Sequence, residues 1–210
     1  ADGRGDFESV TVWLYKKNLA KPLKKIFSTT STDSLGFFYG RITGLLGHTP
    51  ARHEGKITGL SSYGDPHKAL ELMRSMINFS NGKLEAHPGK LYRPFFSSYS
   101  DELIGIVSQY KLVDIAAAAQ KHLEDILCAI VTYCCDLEKI SNTSLALAGG
   151  VFANVKANQA LKQLPMINGV FVQPQMGDGG LCVGAAAKAQ HESGIKIKPL
   201  HSLYLGPRID

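Results

Sequence analysis

The stretch Ser144-Leu-Ala-Leu-Ala-Gly-Gly-Val-Phe-Ala-Asn154 decides the fold class. Ser144 to Ala148 is an apolar run too short for a helix and ends on a glycine pair, which predicts a strand turning sharply at Gly149-Gly150. A helical pattern follows from Val151 to Leu164, then a second strand from Gly169 to Gln173. After the loop Pro174-Gln-Met-Gly-Asp-Gly-Gly180, a last helix runs from Leu181 to about Glu192. Upstream, Leu112 to Ile140 repeats Ile115, Ala119, Leu123, Ile126, Leu127, Ile130, Cys134 and Leu137 at helical spacing, while Lys121, Glu124, Asp125 and Glu138 fall elsewhere. That is a long, largely buried helix. Helix, strand, helix, strand, helix with short turns is the order of an α/β fold, here a mixed sheet flanked by helices.

The first half is less regular. Residues 9 to 16 and 22 to 30 are β-branched and aromatic, and the polar stretch around Asn18 between them predicts a hairpin. Asp33 or Ser34 caps a helix that runs through Leu46, and a short helical pattern follows from about His53 to Ser62. Tyr63-Gly-Asp-Pro66 stops it. A third pattern over residues 67 to 77 carries Leu70, Met73, Met76 and Ile77 on one face, and Asn81-Gly82 predicts a tight turn. From there to Tyr99, proline, glycine, serine and aromatic residues describe a surface excursion.

Composition narrows the class. The chain has 210 residues, 44% hydrophobic and 20% charged, which is enough to bury a core and excludes disorder and fibrous repeats. No apolar run approaches the roughly 20 residues that cross a bilayer. Cys128, Cys134, Cys135 and Cys182 include no C-x-x-C spacing, so a disulfide framework and a thiolate zinc site are not indicated, and a reducing cytoplasm fits. The net charge of +5 is concentrated at Lys16, Lys17, Lys21, Lys24 and Lys25. Without interleaved aromatics or arginines this run reads as a solvated face and argues against a nucleic-acid partner.

Three glycine-rich turns hold the chemically interesting groups: Asp2-Gly3-Arg4-Gly5-Asp6, Gly149 to Asn154, and Gly177-Asp-Gly-Gly180. The last two lie between a strand and a helix start, where unpaired N–H groups and the positive end of a helix dipole favour phosphate. Two such turns in consecutive units of one sheet point to a nucleotide or phosphate site. Asp2 and Asp178 are hard oxygen donors suited to a divalent cation, or else groups that cap their loops. Lys56, in His53-Glu-Gly-Lys56, is either a phosphate contact or half of an exposed pair with Glu54. None of the seven histidines is spaced three or four from another on a helix, and no serine or cysteine sits in a nucleophile elbow.

In order and spacing, five motifs resemble the O-carbamoyltransferases of the nodulation protein U type. They are Asp2-Gly-Arg-Gly-Asp6, Ser34-Leu-Gly-Phe-Phe-Tyr-Gly-Arg-Ile-Thr43, His53 to Leu60 with Tyr63-Gly64, Gly149 to Asn154, and Gly177 to Gly180. The resemblance covers nearly the whole chain. It implies a portion of an actin-like, ribonuclease H-like ATPase fold over residues 1–200, with 201–210, including Tyr204 to Pro207, as the lead into a C-terminal adenylating domain. The implied reaction moves a carbamoyl group from carbamoyl-adenylate, made by that domain from carbamoyl phosphate and ATP, to a small-molecule acceptor hydroxyl. By the same resemblance, Asp2 and Asp178 ligate a divalent metal, iron. Gly3, Gly5, Gly149, Gly150, Val151, Asn154, Gly177 and Gly179 line the adenine nucleotide, and Asp6 and Lys56 act on the reacting groups.

Two departures stand out. The family's first turn ends in Glu where this chain has the shorter Asp6, and the two metal-binding histidines of the family lie upstream of that turn, so a piece of a longer protein is expected, with an incomplete metal site. Rival readings are a tRNA threonylcarbamoyl-transferase or another phosphotransferase of the same fold, and a non-catalytic nucleotide-binding module. The His53 to Gly64 block favours the O-carbamoyl branch.

Overall fold

The computed structural model of this protein describes residues 1–17, 22–95, 98–197 and 206–207. Asn18, Lys21, Tyr204 and most of the expected 201–210 lead lie outside the described residues, as does the boundary expected at residue 200. The predicted hairpin is present: β1 (Glu8–Tyr15) pairs antiparallel with β2 (Leu23–Thr30). Of the two cap candidates for α1 (Leu35–Leu45), Ser34 takes the role, its Oγ accepting from the Phe37 N–H at 3.0 Å. Asp33 instead accepts the Ala86 N–H at 2.8 Å, tying the entry of α1 to a later strand.

The motif helix α2 (Glu54–Leu60) is present but ends two residues before the expected Ser62, passing into a 3-10 turn at Ser61–Tyr63. α3 (Leu70–Met76) starts later than residue 67, because Asp65 caps a separate 3-10 turn at Pro66–Lys68. Asn81 and Gly82 are left-handed, as the tight turn between β3 (Ile77–Ser80) and β4 (Lys83–Ala86) requires. The surface excursion therefore begins with a strand. It is followed by a helix the periodicity did not show, α4 (Asp101–Val107), capped by Ser100.

α5 (Leu112–Leu137) is the spine, and α1, α2 and α3 all pack on it. Ala116, Ala118 and Ala119 are fully buried, and with no side chain beyond Cβ they let neighbouring elements approach closely. One cluster of buried side chains runs from Val10 and Phe38 through Met73 and Ile115 to Leu161. No helix among the described residues is long and apolar enough to cross a membrane.

The sheet differs from expectation. Among the described residues the strands form three two-stranded sheets instead of one mixed sheet. β1–β2 and β3–β4 are local hairpins, the first with register shifts between Glu8 and Thr11 and between Val12 and Trp13. The decisive stretch behaves as predicted: β5 (Thr143–Leu147) pairs parallel with β6 (Ile167–Val172) across a helical crossover, a βαβ unit. The crossover is not one helix from Val151, however. Gly150–Ala153 forms a 3-10 turn, and α6 (Val155–Lys162) begins only after Asn154, whose Oδ1 accepts the Ala157 N–H at 3.1 Å. The chain is thus mixed α/β. α7 (Leu181–Glu192) follows the last glycine loop.

His122 projects from the buried face of α5 with its Nε2 at 2.6 Å from the Ile77 carbonyl. A carbonyl only accepts, so this nitrogen carries the hydrogen. Burial holds the imidazole below its ordinary value of 6.5. A lowered native value means that the unfolded chain binds the proton more tightly, so this contribution to stability is complete above the unfolded value and fades as pH falls below it. The melting temperature should drop between about pH 7.5 and about pH 5.5, and His122→Gln should drop less over the same interval. Equal slopes for the two proteins in a calorimetric pH series would contradict this assignment.

Candidate functional site

Two of the three glycine turns touch. The backbone of Asp2 is anchored to the start of β1, its N–H donating to the Ser9 carbonyl at 2.9 Å. Its carboxylate accepts the Gly3 N–H at 2.7 Å through Oδ1 and the Gly150 N–H at 2.9 Å through Oδ2. Gly149 has φ 105, and a Cβ there would sit 2.1 Å from the Ala1 carbonyl oxygen, so only glycine fits. From the other side, Ser34 Oγ donates to the Asp2 carbonyl at 3.0 Å. The approach of α1 is so close that a Cβ on Gly36 would lie 2.6 Å from the Gly3 nitrogen. Val151 donates its N–H to the Ala1 carbonyl at 3.4 Å.

The third turn joins through the backbone. The Gly149 N–H donates to the Met176 carbonyl at 2.6 Å, and the Gln173 N–H to the Leu147 carbonyl at 2.9 Å. The loop carrying Gly177, Asp178 and Gly179 is therefore hydrogen-bonded to the turn that binds Asp2. Asp178 itself is exposed and has no side-chain partner among the described residues.

Gly5 and Asp6 lie apart from this junction, at the tip of a small reverse turn. Gly5 and Glu8 exchange both backbone hydrogen bonds, at 2.8 and 2.9 Å, which leaves Asp6 and Phe7 left-handed at φ 50 and 66. Asp6 is exposed. Lys56 is exposed and unpaired among the described residues, and the anticipated Glu54/Lys56 pair is not formed: Glu54 accepts the Ala51 N–H at 2.6 Å. Lys156 is the cation that reaches the His53 to Gly64 block, donating to Ser61 and Ser62 at 3.1 and 3.2 Å.

Asn154 stands in a polar network under the second turn. Its Nδ2 donates to Gln120 Oε1 at 2.8 Å and Thr58 Oγ1 at 3.3 Å, and its Oδ1 accepts from Gln120 Nε2 at 3.0 Å and from the Ala157 N–H. All four hydrogen-bonding positions of the amide are used within the protein. Tyr39 closes the network, donating to Gln120 Oε1 at 2.6 Å and lying 3.0 Å from Thr58 Oγ1. Burial pushes its phenol up to about 12, so it remains a donor at neutral pH. Tyr39, Thr58 and Gln120 escaped the sequence analysis. The available signal was Gln120, a polar residue on the apolar stripe of α5.

Among the described residues no three His, Cys, Asp or Glu side chains are placed to hold a metal ion. Asp2 and Asp178 match a divalent cation in donor type and fall short of it in number. No step proposed for this chain runs through a metal.

With the geometry in place, comparison with known proteins is informative. Residues 1–187 match the family model described as Carbamoyltransferase N-terminus. The chain is 31% identical over 215 residues to an uncharacterized protein of Methanocaldococcus jannaschii, covering 100% of this chain and 39% of that protein. It is 29% identical over 209 residues to Nodulation protein NolNO of Sinorhizobium fredii, covering 98% of this chain and 30% of the other. Nodulation protein U of Rhizobium tropici is 37% identical over 68 residues, 31% of this chain and 12% of that protein. The chain thus spans well under half the length of the curated relatives it matches.

The junction sets two stability expectations. Gly149→Ala combines backbone strain with a backbone clash and should lower unfolding free energy by roughly 3 kcal/mol. Asn154→Ala removes a helix cap and two of the hydrogen bonds of Gln120, which keeps Tyr39 and Glu124, at about 2 kcal/mol. Denaturant midpoints measure both, and a loss below about 0.5 kcal/mol for either variant would show that the junction does not depend on that residue.

Proposed function

Because the chain belongs to the carbamoyltransferase N-terminus family, we propose that it forms the transfer site at which a carbamoyl group passes from carbamoyl-adenylate to an acceptor hydroxyl. The observation that carries this is the pair of hydrogen bonds that joins the Asp2 turn to Gly150 and Gly149 to Met176, the residue just before the Gly177–Gly180 loop. The βαβ unit with a glycine turn directly after its first strand supports an actin-like nucleotide fold.

The chemistry requires little beyond positioning and charge. The acceptor oxygen attacks the carbamoyl carbon and a new O–C bond forms. The bond from that carbon to the adenylate phosphate oxygen breaks, AMP leaves with the electron pair, and the hydroxyl proton is released. The glycine loop before α7 offers N–H groups to the phosphate. Lys56, exposed and unpaired, offers it a cation. Asp178, an exposed carboxylate without a side-chain partner among the described residues, is the group free to take the proton, whereas Asp6, equally exposed, lies apart from the junction. Asn154 and Gly150 hold the turn itself in shape. Carbamoyl phosphate and ATP supply the adenylate through an adenylating domain outside this chain.

Asp178 makes no structural contact that its loss would break, which suits it to a test. In the full-length protein, Asp178→Asn should lower carbamoyl transfer by about 100-fold, the size of one proton-transfer or charge contribution, with an unchanged melting temperature. Turnover equal to that of the parent would remove the carboxylate from the mechanism.

A further inference from the structure

Beside the Asp2 turn lies an open groove of about 550 Å³ lined by Thr32, Lys90, Tyr92, Arg93 and Phe95 among others, with no acidic residue in its lining among the described residues. Its size suits a mono- or disaccharide-sized ligand. The groove is coupled to the transfer site on two sides. Phe95 packs edge-on against Phe37, with ring centroids 5.3 Å apart, and the Phe37 ring is the surface that a Cβ on Gly3 would meet at 3.5 Å. Thr32 lies two positions before Ser34, whose hydroxyl holds the Asp2 carbonyl.

Positive charge in this groove is poorly compensated. Arg93 has no hydrogen-bond or ion-pair partner among the described residues, and Lys90 has only a long, exposed contact of 3.5 Å with Glu102. A smaller cavity shares Lys90, Tyr92 and Arg93 with the groove and adds Arg41, which lies over the Tyr99 ring at 3.9 Å. Burial brings the Arg41 guanidinium below its ordinary value, and it donates to the Ser98 carbonyl at 2.7 Å. Tyr92, which lines both the cavity and the groove, is 2% exposed, and its hydroxyl is buried with no hydrogen-bond partner among the described residues. Lys90 and Arg93, two exposed cations lining the groove, describe a seat for an anion. The exposed face of Phe95 beside them suits the apolar face of a sugar ring.

Building on the carbamoyl-transfer reading, we infer that this groove seats the acceptor, and that the acceptor is a sugar carrying a phosphate monoester. Lys90 and Arg93 take the phosphate, Phe95 takes the ring, and a ring hydroxyl is directed past Phe37 toward the Asp2 turn. The same charges disfavour a cationic acceptor.

Calorimetric titration of the full-length protein separates the possibilities, with glucose 6-phosphate, glucose, inorganic phosphate and ATP as probes. Glucose 6-phosphate should bind at least tenfold more tightly than either glucose or inorganic phosphate. The double variant Lys90→Gln/Arg93→Gln, both at exposed positions, should lose at least tenfold of that affinity with its melting temperature intact. Equal affinity for glucose and its phosphate, unchanged binding in the variant, or no binding of any probe overturns the inference. Competition by ATP for the same seat also overturns it, by making the groove a nucleotide subsite. Carbamoyl transfer with equal kcat/KM for neutral and phosphorylated acceptors sinks the inference and spares the proposed function. Phosphate-dependent sugar binding without any transfer does the reverse.

Discussion

A carboxylate clasping a backbone N–H from the far end of the chain organises this molecule. Asp2 reaches Gly150 across 148 positions of sequence, and that single charge-assisted bond is possible only because Gly149 lacks a side chain where the Ala1 carbonyl must pass. A contact of such high sequence separation is entropically expensive to close. It is supported on both flanks, by Ser34 holding the Asp2 carbonyl and by Met176 receiving the Gly149 N–H. The hairpin, α1, the parallel pair and the last glycine loop are thereby fixed relative to one point.

Behind the clasp stands the polar network on α5. Gln120, one of three buried polar side chains on α5 with Asp114 and His122, bonds Tyr39 on α1 and Asn154 at the head of α6, both of which reach Thr58 on α2. A buried network of this kind is stabilising only when every member is satisfied. Here the Asn154 amide has all its positions filled, so the glycine turn in front of it is carried by helices that contribute nothing to the turn's own sequence. The His53 to Gly64 block thus touches the second turn through Thr58 and Lys156, which gives that block a physical reason to accompany it.

Legibility in the sequence followed locality. The hairpin, α1 with its serine cap, the Asn81-Gly82 turn, α5 and the β5–β6 strands each announce themselves within about a dozen residues, because capping, turn chemistry and periodicity are local. The break at Asn154 was hidden because Val151 and Val155 keep helical spacing across it, and the split of the strands into separate pairs was hidden because pairing partners are not written in strand sequence. α4 was missed because its seven residues are too few to show a period. Of the candidate site, the glycines and carboxylates were visible by type. The partners that position them, Gln120, Thr58 and Tyr39, become meaningful only once α5 is seen to lie beneath the second turn.

The small reverse turn at Gly5 to Glu8 carries one more consequence. Two successive residues with side chains, Asp6 and Phe7, are held in a backbone region that disfavours them by roughly 1–2 kcal/mol each. Paired bonds between Gly5 and Glu8 and the Ser31 N–H on the Phe7 carbonyl sustain it. The load is carried to keep an acid and an aromatic ring, Asp6 and the 84% exposed Phe7, at the surface of the tip instead of in the core.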